Sequence, residues 1–207
     1  MLEKPQEVRE NNLTNTEWEQ ILPDDLWIYN KLQLSRALGY ICGPSGVDVP
    51  QSGYYIVRPS INFNGMGRFS RIEWLKCSTD HLHPSEFWCE IFTGEHISVD
   101  FYKKQPKLIV KGYKNPKNPS YKWNCWLKID KNINFPEILE NLVGTYSVIN
   151  CEFIGNQLIE VQIRQNLDFQ WGNSIAIPVW KNQNIKIPSG FRFVENEDYY
   201  RKGFLIK

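Results

Sequence analysis

The sequence predicts an α+β protein whose strands are mostly antiparallel. An amphipathic helical segment comes first, a meander of short aromatic and β-branched strands follows, and a second short helix then precedes a tight strand pair. The 207 residues, 42% of them apolar, suffice for one domain or two small lobes. This order of elements excludes a doubly wound parallel sheet.

The N-terminal part of the chain combines a polar arm with a helix. Residues 1–23 are polar and end at Pro23, which with the acidic pair after it forms a helix-start signal. From Leu26 to Leu38 apolar residues recur at spacings of three and four, and Gly39 follows as a stop. We therefore expect one amphipathic helix here, followed by a Gly-, Pro- and Ser-rich loop from Cys42 to Gly53.

Strand segments fill most of the remaining chain. Six of them alternate with turn signals and predict an antiparallel meander: YYIVRPS, RFSRIEWLKC, FWCEIF, HISVDFYKK, KLIVKGYK and YKWNCWLKI. The segment from Phe135 to Val143 is predicted to be helical, with Gly144 as its stop. YSVINCEFIG and QLIEVQIRQN then predict a hairpin around Gly155 and Asn156. SIAIPVW and FRFVEN belong to a C-terminal region for which the sequence predicts mixed secondary structure.

Composition limits the classes of function. Lys and Arg total 24 against 23 Asp and Glu, so no bulk positive charge directs the protein to nucleic acid or membrane. No apolar run approaches the roughly 20 residues that span a bilayer, and we expect a cytoplasmic protein. The five cysteines form no CxxC pair and are expected to be reduced. His81 and His83 lack a third ligand, which favours a solvated loop over zinc.

The hairpin carries the most informative polar pattern. Alternation places Glu160, Gln162 and Arg164 on one face of the second strand, and the apolar Ile159, Val161 and Ile163 on the other face. Pairing across the turn brings Glu152 near Glu160, and the strand register, which the sequence does not give, decides which face Glu152 takes. Carboxylates and an amide oxygen suit Mg²⁺, and Arg164 could contact phosphate or a charged intermediate. The alternative is a solvated sheet face on which these residues only happen to align.

A second polar segment is YIVRPSINFNGMGRFS. It places Arg58 at the end of a strand, directly before a loop that contains Asn64, Gly65 and Gly67. Glycines let backbone N–H groups approach phosphate oxygens, and Arg58 could neutralise charge there. An ordinary turn in which the glycines serve only positive φ stays open as the alternative. Neither Walker A nor GxGxxG is present.

A third segment, FWCEIFTGEHISVD, joins two strands through a turn. The backbone of its first strand could bind the edge of an adenine, and Glu95 or His96 at the turn could hold ribose hydroxyls. A core strand with no ligand is the alternative, because its aromatic residues favour packing.

Taken in this order, these segments resemble the ATP-grasp superfamily over roughly residues 24–170. The resemblance rests on a cation-Pro pair before a Gly-containing loop, a hinge of the form E-x-x-x-G-x-x-x-x-x-D from Glu90 to Asp100, and an acidic hairpin. It implies an ATP-grasp domain over 24–207 in which two small lobes sandwich a nucleotide cleft. The smaller lobe would cover roughly 40–90 and the larger lobe roughly 91–207.

The resemblance also assigns roles to residues. Glu90, Ile91 and Phe92 would contact adenine, with Glu95 or His96 near the ribose. Lys31, which stands before the helix, and Arg58, which replaces the family's usual Lys, would bind the phosphates together with the loop of Asn64, Gly65 and Gly67. Glu152, Glu160 and Gln162 would bind Mg²⁺, although Gln162 stands where Asn is usual. Arg164 resembles an Arg found beyond that pair in several ligase branches, where it would meet the acylphosphate or the acceptor.

The implied activity is an ATP- and Mg²⁺-dependent carboxylate ligase. It would convert a carboxylate of a small molecule, peptide or protein into an acylphosphate, which an amine then attacks to form a carbon–nitrogen bond. Most members carry a further N-terminal domain, so acceptor recognition is expected from the C-terminal segment, an oligomer or a partner protein. The small, Asn- and Lys-rich chain resembles a phage-encoded version, which would act in the host cytoplasm.

Two other hypotheses remain open. One is a non-catalytic nucleotide-binding or assembly protein that keeps the ATP-grasp fold, in line with Gln162 and the missing domain. The other is a single-stranded nucleic-acid binder, because KGYKNPKNPSYKWNCW interleaves lysines with Tyr113, Tyr121 and Trp123, which could stack on bases. A solvated hairpin is the more common use of such a segment, and nucleic acid is therefore not the expected partner.

Overall fold

A computed structural model describes residues 20–61, 69–120, 122–198 and 200–207. The chain forms two antiparallel sheets with short helices, which confirms the predicted α+β class. Most of the predicted polar arm lies outside the described residues, as do Asn64, Gly65, Gly67 and Tyr121. No helix among the described residues combines the length and the apolar character needed to cross a bilayer.

The predicted N-terminal helix is two helices. A 3-10 helix covers Pro23–Tyr29, and an α-helix, α1, covers Lys31–Ala37. Asn30 separates them because it takes an extended conformation (φ −90°, ψ 101°) and its side chain accepts hydrogen bonds from the N–H groups of Leu32 and Gln33. The prediction of one continuous helix was wrong because apolar spacing does not detect such an internal cap.

The smaller sheet has four strands in the order β1-β4-β2-β3. They are β1 (Cys42–Pro44), β2 (Gly53–Pro59), β3 (Arg71–Leu75) and β4 (Glu86–Cys89). The start of the predicted loop at Cys42 is strand β1, which pairs antiparallel with β4. Its three residues are too few for a periodic signal, so only the pairing reveals it. One face of this sheet is apolar and packs around Val57, Leu75 and Trp88.

The larger sheet has eight strands in the order β11-β12-β10-β7-β6-β5-β8-β9. They are β5 (His96–Tyr102), β6 (Gln105–Tyr113), β7 (Cys125–Lys128), β8 (Ile149–Ile154), β9 (Gln157–Gln162), β10 (Ile175–Trp180), β11 (Arg192–Glu195) and β12 (Arg201–Ile206). Strand β12 was not predicted. Residues 90–95 connect β4 of the small sheet to β5 of the large sheet.

The predicted second helix is a 3-10 helix over Glu137–Leu142, and Gly144 follows it with φ +94°. Its buried Leu139 and Leu142 join the apolar core on one face of β5, β8 and β9, against which Ile28 and Leu34 also pack. That face is closed by the helices. Polar side chains therefore collect on the opposite face of the same strands.

The hairpin β8–β9 forms where the sequence predicts it. Gly155 has φ +60°, and a Cβ added there would lie 2.7 Å from the carbonyl oxygen of Thr93. Its N–H donates to the carbonyl oxygen of Glu95 at 2.9 Å. The turn of the hairpin thus rests directly on the connection between the two sheets, and only glycine fits there.

Candidate functional site

Two carboxylates face each other across the hairpin. Glu152 on β8 is the direct register partner of Glu160 on β9, which confirms that the turn brings them together. The predicted alternation holds for Glu160, which is partly exposed, and for Val161 and Ile163, which lie in the apolar core. It fails before Glu160, because a bulge shifts the register between Glu152 and Phe153 and Leu158, not Ile159, belongs to that core. The polar face of the hairpin therefore presents two acids side by side.

Lys31 reaches Glu160 from the start of α1. Its Nζ lies 2.9 Å from Oε2 of Glu160, and the two side chains are only 6% and 13% exposed. Gln162 donates from Nε2 to Oε1 of the same carboxylate at 2.8 Å. The backbone N–H of Lys31 donates to the carbonyl oxygen of Ser60 at 2.7 Å, directly after β2. Helix α1, strand β2 and strand β9 therefore meet at one point.

Burial and the surrounding charges act in opposite directions on Glu160. Desolvation alone would raise the pKa of this carboxyl group, because a buried negative charge loses its hydration. The charge and hydrogen bond of Lys31, the hydrogen bond from Gln162 and the charge of Arg58 outweigh it and hold the pKa at about 2. Glu160 is therefore ionised at neutral pH.

Arg58 on β2 completes this cluster from the small sheet. It is 8% exposed and its guanidinium lies over the ring of Phe87, 5.2 Å from the centroid. Burial lowers the pKa of Arg58, whereas the neighbouring thiol of Cys89 and the carboxylates Glu160 and Glu152 oppose that shift. The two proposed phosphate-binding cations, Lys31 and Arg58, thus lie beside the two proposed metal-binding acids.

One atom of Arg58 has no partner in the part of the chain that the structure describes. Its Nε is buried and makes no hydrogen bond to any described residue. Buried donors are nearly always paired, and an unpaired charged donor is costly. This atom is consequently a donor to which a ligand oxygen could bind.

Glu152 is held by a histidine in an aromatic setting. His96, at the start of β5, lies 3.0 Å from Oε2 of Glu152 through its Nε2. The imidazole packs edge-on against Trp123 and Trp126, with centroid separations of 4.7 and 5.5 Å. Gly112 leaves room for the two indoles, since a Cβ there would come within 2.6 Å of Trp123. His96 is thereby fixed at the border between the carboxylates and this aromatic pair.

Residues 90–92, at the start of the connection between the sheets, contact the segment just before β1. The N–H of Glu90 donates to the carbonyl oxygen of Ile41 at 2.9 Å, and the carboxylate of Glu90 accepts from the N–H of Ile41 at 2.8 Å. Phe92 packs edge-on against Tyr40 at 4.6 Å, and Ile91 is 38% exposed. The N–H of Glu90 is thus already bonded within the protein. Of the three residues predicted to contact adenine, Ile91 and Phe92 are therefore the better candidates for backbone contacts.

Glu95 lies in a different environment from the other acids. Its carboxylate is 44% exposed and binds Lys111 at 2.5 Å and Lys131 at 2.9 Å. The hydrogen bonds from these two lysines lower its pKa to about 2. Of the two residues predicted near the ribose, His96 contacts the acidic hairpin and Glu95 points to the lysines.

Further polar residues, of which the sequence pointed only to Asp100 as the end of the hinge motif, continue the same sheet face beyond Glu152. Asp100 on β5 accepts hydrogen bonds from the side chain of Asn150 at 2.7 Å and from the N–H of Asn166 at 3.0 Å. Asp168 lies 3.7 Å from Arg201 and within electrostatic range of Arg164 and Glu152. Period-two spacing of Asp100 and Asn150 along their strands could have indicated this face, whereas Asp168 and Arg201 are brought there only by the tertiary fold.

Arg164 extends from the chain just after β9. Its Nη1 donates to the carbonyl oxygen of Gln165 at 3.2 Å, and its charge lowers the pKa of both Asp100 and Asp168 against the stronger effect of their burial. Arg164 therefore lies within electrostatic range of this second acidic group and directly follows the strand that carries Glu160.

A metal site made of protein ligands alone is not found among the described residues, since no three His, Cys, Asp or Glu side chains are grouped closely enough to hold an ion. Mg²⁺ is commonly bound by one or two carboxylates together with substrate phosphates and water. The oxygens of Glu152, Glu160 and Gln162 match that chemistry, although Lys31 already neutralises Glu160.

Comparison with known proteins gives structural similarities only. No family model and no curated protein matches the sequence. An ATP-grasp superfamily protein from Archaeoglobus fulgidus aligns with 10% identity and a TM-score of 0.47, over 87% of this chain and 64% of that protein. The ATP-grasp ligase PsnB, solved with its minimal precursor, aligns with 13% identity and a TM-score of 0.40, over 68% and 52%. The chain spans less than two thirds of either protein.

Proposed function

We propose that this chain is an ATP-grasp domain that binds ATP with Mg²⁺ between its two sheets and uses it to activate a carboxylate. The observation that carries the proposal is the convergence of Lys31 and Arg58 on Glu152 and Glu160, with the buried Nε of Arg58 unpaired among the described residues. Cations and acids placed together are what a metal-bound polyphosphate requires.

The energetics of Arg58 support a ligand at this point. Burying a guanidinium is unfavourable unless it is fully paired, and its neighbours here supply charge but no hydrogen bond to Nε. A phosphate oxygen would provide that bond with charge assistance. Lys31 would reach the same phosphates by shifting part of its interaction from Glu160.

The nucleoside would lie along the connection between the sheets. The backbone of Ile91 and Phe92 would contact the adenine, while His96 or Glu95 would meet the ribose. His96 is the better candidate for the ribose contact, because its ring lies 3.0 Å from Glu152 in the acidic hairpin, whereas both carboxylate oxygens of Glu95 bind lysines. The loop of Asn64, Gly65 and Gly67 remains a proposed phosphate contact.

The proposed reaction has two steps. A carboxylate oxygen of the substrate attacks the γ-phosphorus, the bond to ADP breaks, and an acylphosphate forms; an amine then attacks the acyl carbon and phosphate leaves. Bound Mg²⁺ would neutralise charge on the phosphates. Lys31 and Arg58 hold the phosphoryl oxygens in line, and Arg164 binds the acyl phosphate or the acceptor carboxylate.

Calorimetric titration with Mg²⁺ and ATP tests the binding step. Arg58→Met removes the buried cation at little cost in side-chain volume, and we expect affinity at least about tenfold lower, or about 1.4 kcal/mol. Arg71→Met is the matched control, because Arg71 lies on the neighbouring strand but pairs with Glu73 and Glu86. Equal affinities in Arg58→Met and the unmodified chain would refute the role of Arg58.

Turnover is tested separately from binding. ADP release would be measured with a panel of amino acids and small peptides, for the unmodified chain and for Arg164→Gln. A ligase releases ADP in an acceptor-dependent manner, and Arg164→Gln should lower that release without abolishing ATP binding. Acceptor-dependent release that is unchanged in Arg164→Gln would remove this residue from the mechanism.

The second candidate function is nucleotide binding without catalysis. It is favoured by the 2.9 Å contact of Lys31 with Glu160 and by the amide of Gln162, which donates to the same carboxylate. Both contacts engage oxygens that a metal would need. Tight ATP binding with no ADP release for any acceptor would support this function over the ligase.

A further inference from the structure

Two cysteines of the small sheet lie directly opposite each other. Cys42 on β1 is the register partner of Cys89 on β4, so both side chains point to the same face of the sheet. The other strand cysteines have no such partner: Cys125 lies opposite Tyr113, and Cys151 lies opposite Val99 and Val161. The pair is therefore a specific feature of the β1–β4 ladder.

The hydrogen bonds at both ends of this ladder show which kind of pair it is. The backbone N–H of Glu90 donates to the carbonyl oxygen of Ile41 at 2.9 Å, and the backbone N–H of Ser45 donates to the carbonyl oxygen of Glu86 at 3.2 Å. Hydrogen-bonded and non-hydrogen-bonded pairs alternate along antiparallel strands, so the intervening pair Cys42–Cys89 is non-hydrogen-bonded. Cα atoms in such pairs lie about 4.5 Å apart, within the range of about 4.4–6.8 Å that a disulfide allows.

The pair borders the site described above. Cys89 is buried, Cys42 is half-buried, and Cys89 shares a hydrogen bond with Ser35 of α1. Arg58 lies close enough to both thiols to lower their pKa values, although burial dominates and raises the pKa of Cys89 to about 12. Glu90, the first residue of the connection between the sheets, follows Cys89 directly.

We propose that Cys42 and Cys89 form a reversible disulfide by exchange with a small disulfide such as oxidised glutathione. One protein thiolate attacks a glutathione sulfur and releases one glutathione thiol; the second protein thiolate then attacks the mixed disulfide and releases the other. Two protein thiols are oxidised, one glutathione disulfide is reduced to two thiols, and the two protons pass to the departing thiolates.

Cys42 is the first thiol to react because it is the more exposed of the two. The Cys89 thiolate then attacks the mixed disulfide at Cys42. Because the two residues are already register partners, the strands need not shift. The raised thiol pKa values make the exchange slow, since only the thiolate attacks.

The disulfide also has a consequence for the cleft, and this part rests on the proposed function. Closing the bond withdraws the Cys89 sulfur from Ser35 and removes a thiol that lies beside Arg58. It also fixes β1 to β4 immediately before the connection at Glu90. We expect the oxidised protein to bind ATP several times more weakly than the reduced protein.

Mass-spectrometric peptide mapping tests the covalent step on the full chain. After incubation with oxidised glutathione and removal of excess reagent, the map should join Cys42 to Cys89, with the loss of one hydrogen per sulfur from the joined peptides. Cys42→Ser and Cys89→Ser should each lack that product, and Cys89→Ser, which keeps the more exposed thiol of the pair, should carry a glutathione adduct on Cys42. Cys77→Ser, which removes an exposed thiol outside the pair, should still form the bond between Cys42 and Cys89. Stable glutathione adducts on both Cys42 and Cys89 of the unmodified chain would overturn the proposal.

Titration of the reduced and oxidised forms with ATP tests the consequence. Weaker binding by the oxidised form, restored by dithiothreitol and absent in Cys42→Ser treated in the same way, is the expected result. A disulfide with no change in ATP affinity would overturn the regulatory part. If the reduced protein binds no ATP, the proposed function fails, while the mass measurement still decides whether the bond forms.

Discussion

Two ion-pair clusters in this protein use the same residue types in opposite environments. Lys31 and Glu160 are almost completely buried beside Arg58, whereas Glu95 binds Lys111 and Lys131 at the surface of the large sheet. Both glutamates have a pKa lowered to about 2. For Glu160 the shift arises against a desolvation cost, and for Glu95 it arises from two hydrogen bonds in solvent.

The difference shows that a pKa value alone does not reveal a functional site. A surface pair is screened by water and salt, so it contributes little to stability. A buried ion pair loses hydration free energy that the attraction between its two charges barely offsets. Such a pair is typical of a site whose function requires the charges. The cluster of Lys31, Glu160 and Arg58 is therefore the one to test first.

Removal of the buried cation should have the largest effect. Lys31→Met leaves the Glu160 carboxylate buried without its ion-pair partner, and we expect the free energy of unfolding to fall by about 3–5 kcal/mol. Urea denaturation measures the change. The matched control is Lys131→Met, which removes a lysine from the exposed cluster and should leave the denaturation midpoint almost unchanged.

Acid titration should next test the lowered pKa of the buried Glu160. The pKa of Glu160 in the folded state, about 2, is below the ordinary value of 4.5, so this carboxylate stabilises the fold above pH 4.5 and loses that effect as the pH falls toward 2. Asp100 and Asp168 act in the opposite direction, because burial raises their pKa values.

The stability difference between the unmodified chain and Glu160→Gln isolates this contribution. It should be largest near about pH 7 and shrink steadily below about pH 5, as measured by denaturation at a series of pH values. A difference that is constant down to about pH 3 would contradict the assigned direction of the Glu160 shift.

An intermediate effect is expected at the pair of His96 and Glu152, which is neither fully buried nor fully exposed. His96→Phe keeps an aromatic ring against Trp123 but removes the hydrogen bond to Glu152, and should cost about 1 kcal/mol. His81→Phe is the control, because His81 forms an equivalent contact with Glu73 at the surface. Equal losses of stability in the two variants would mean that burial does not distinguish these histidines.

The smallest effect is expected at Glu95. Glu95→Gln should change the denaturation midpoint slightly at low salt and not measurably at about 0.5 M salt, where exposed charges are screened. A change that persists at high salt would mean that Glu95 acts as a buried charge and would remove the contrast with Glu160.

Local patterns were sufficient for most strands and for the acidic hairpin. The turn at Gly155 is a short-range feature, and it correctly predicted Glu152 near Glu160. Their direct pairing depends on a bulge between Glu152 and Phe153, which the sequence pattern did not show. The single helix predicted over Leu26–Leu38 failed because the Asn30 cap interrupts it. Strand β1 was missed because three residues form a strand here only through their pairing with β4.

The sequence by itself determined which residues carry charge and which strand face they share, because period-two alternation and turn chemistry act over neighbouring residues. Only the tertiary structure decided that Lys31 binds Glu160, that Arg58 is buried beside them, and that Glu95 faces lysines instead. These contacts join segments far apart in the chain, and their strength depends on exclusion of water, which no local pattern encodes.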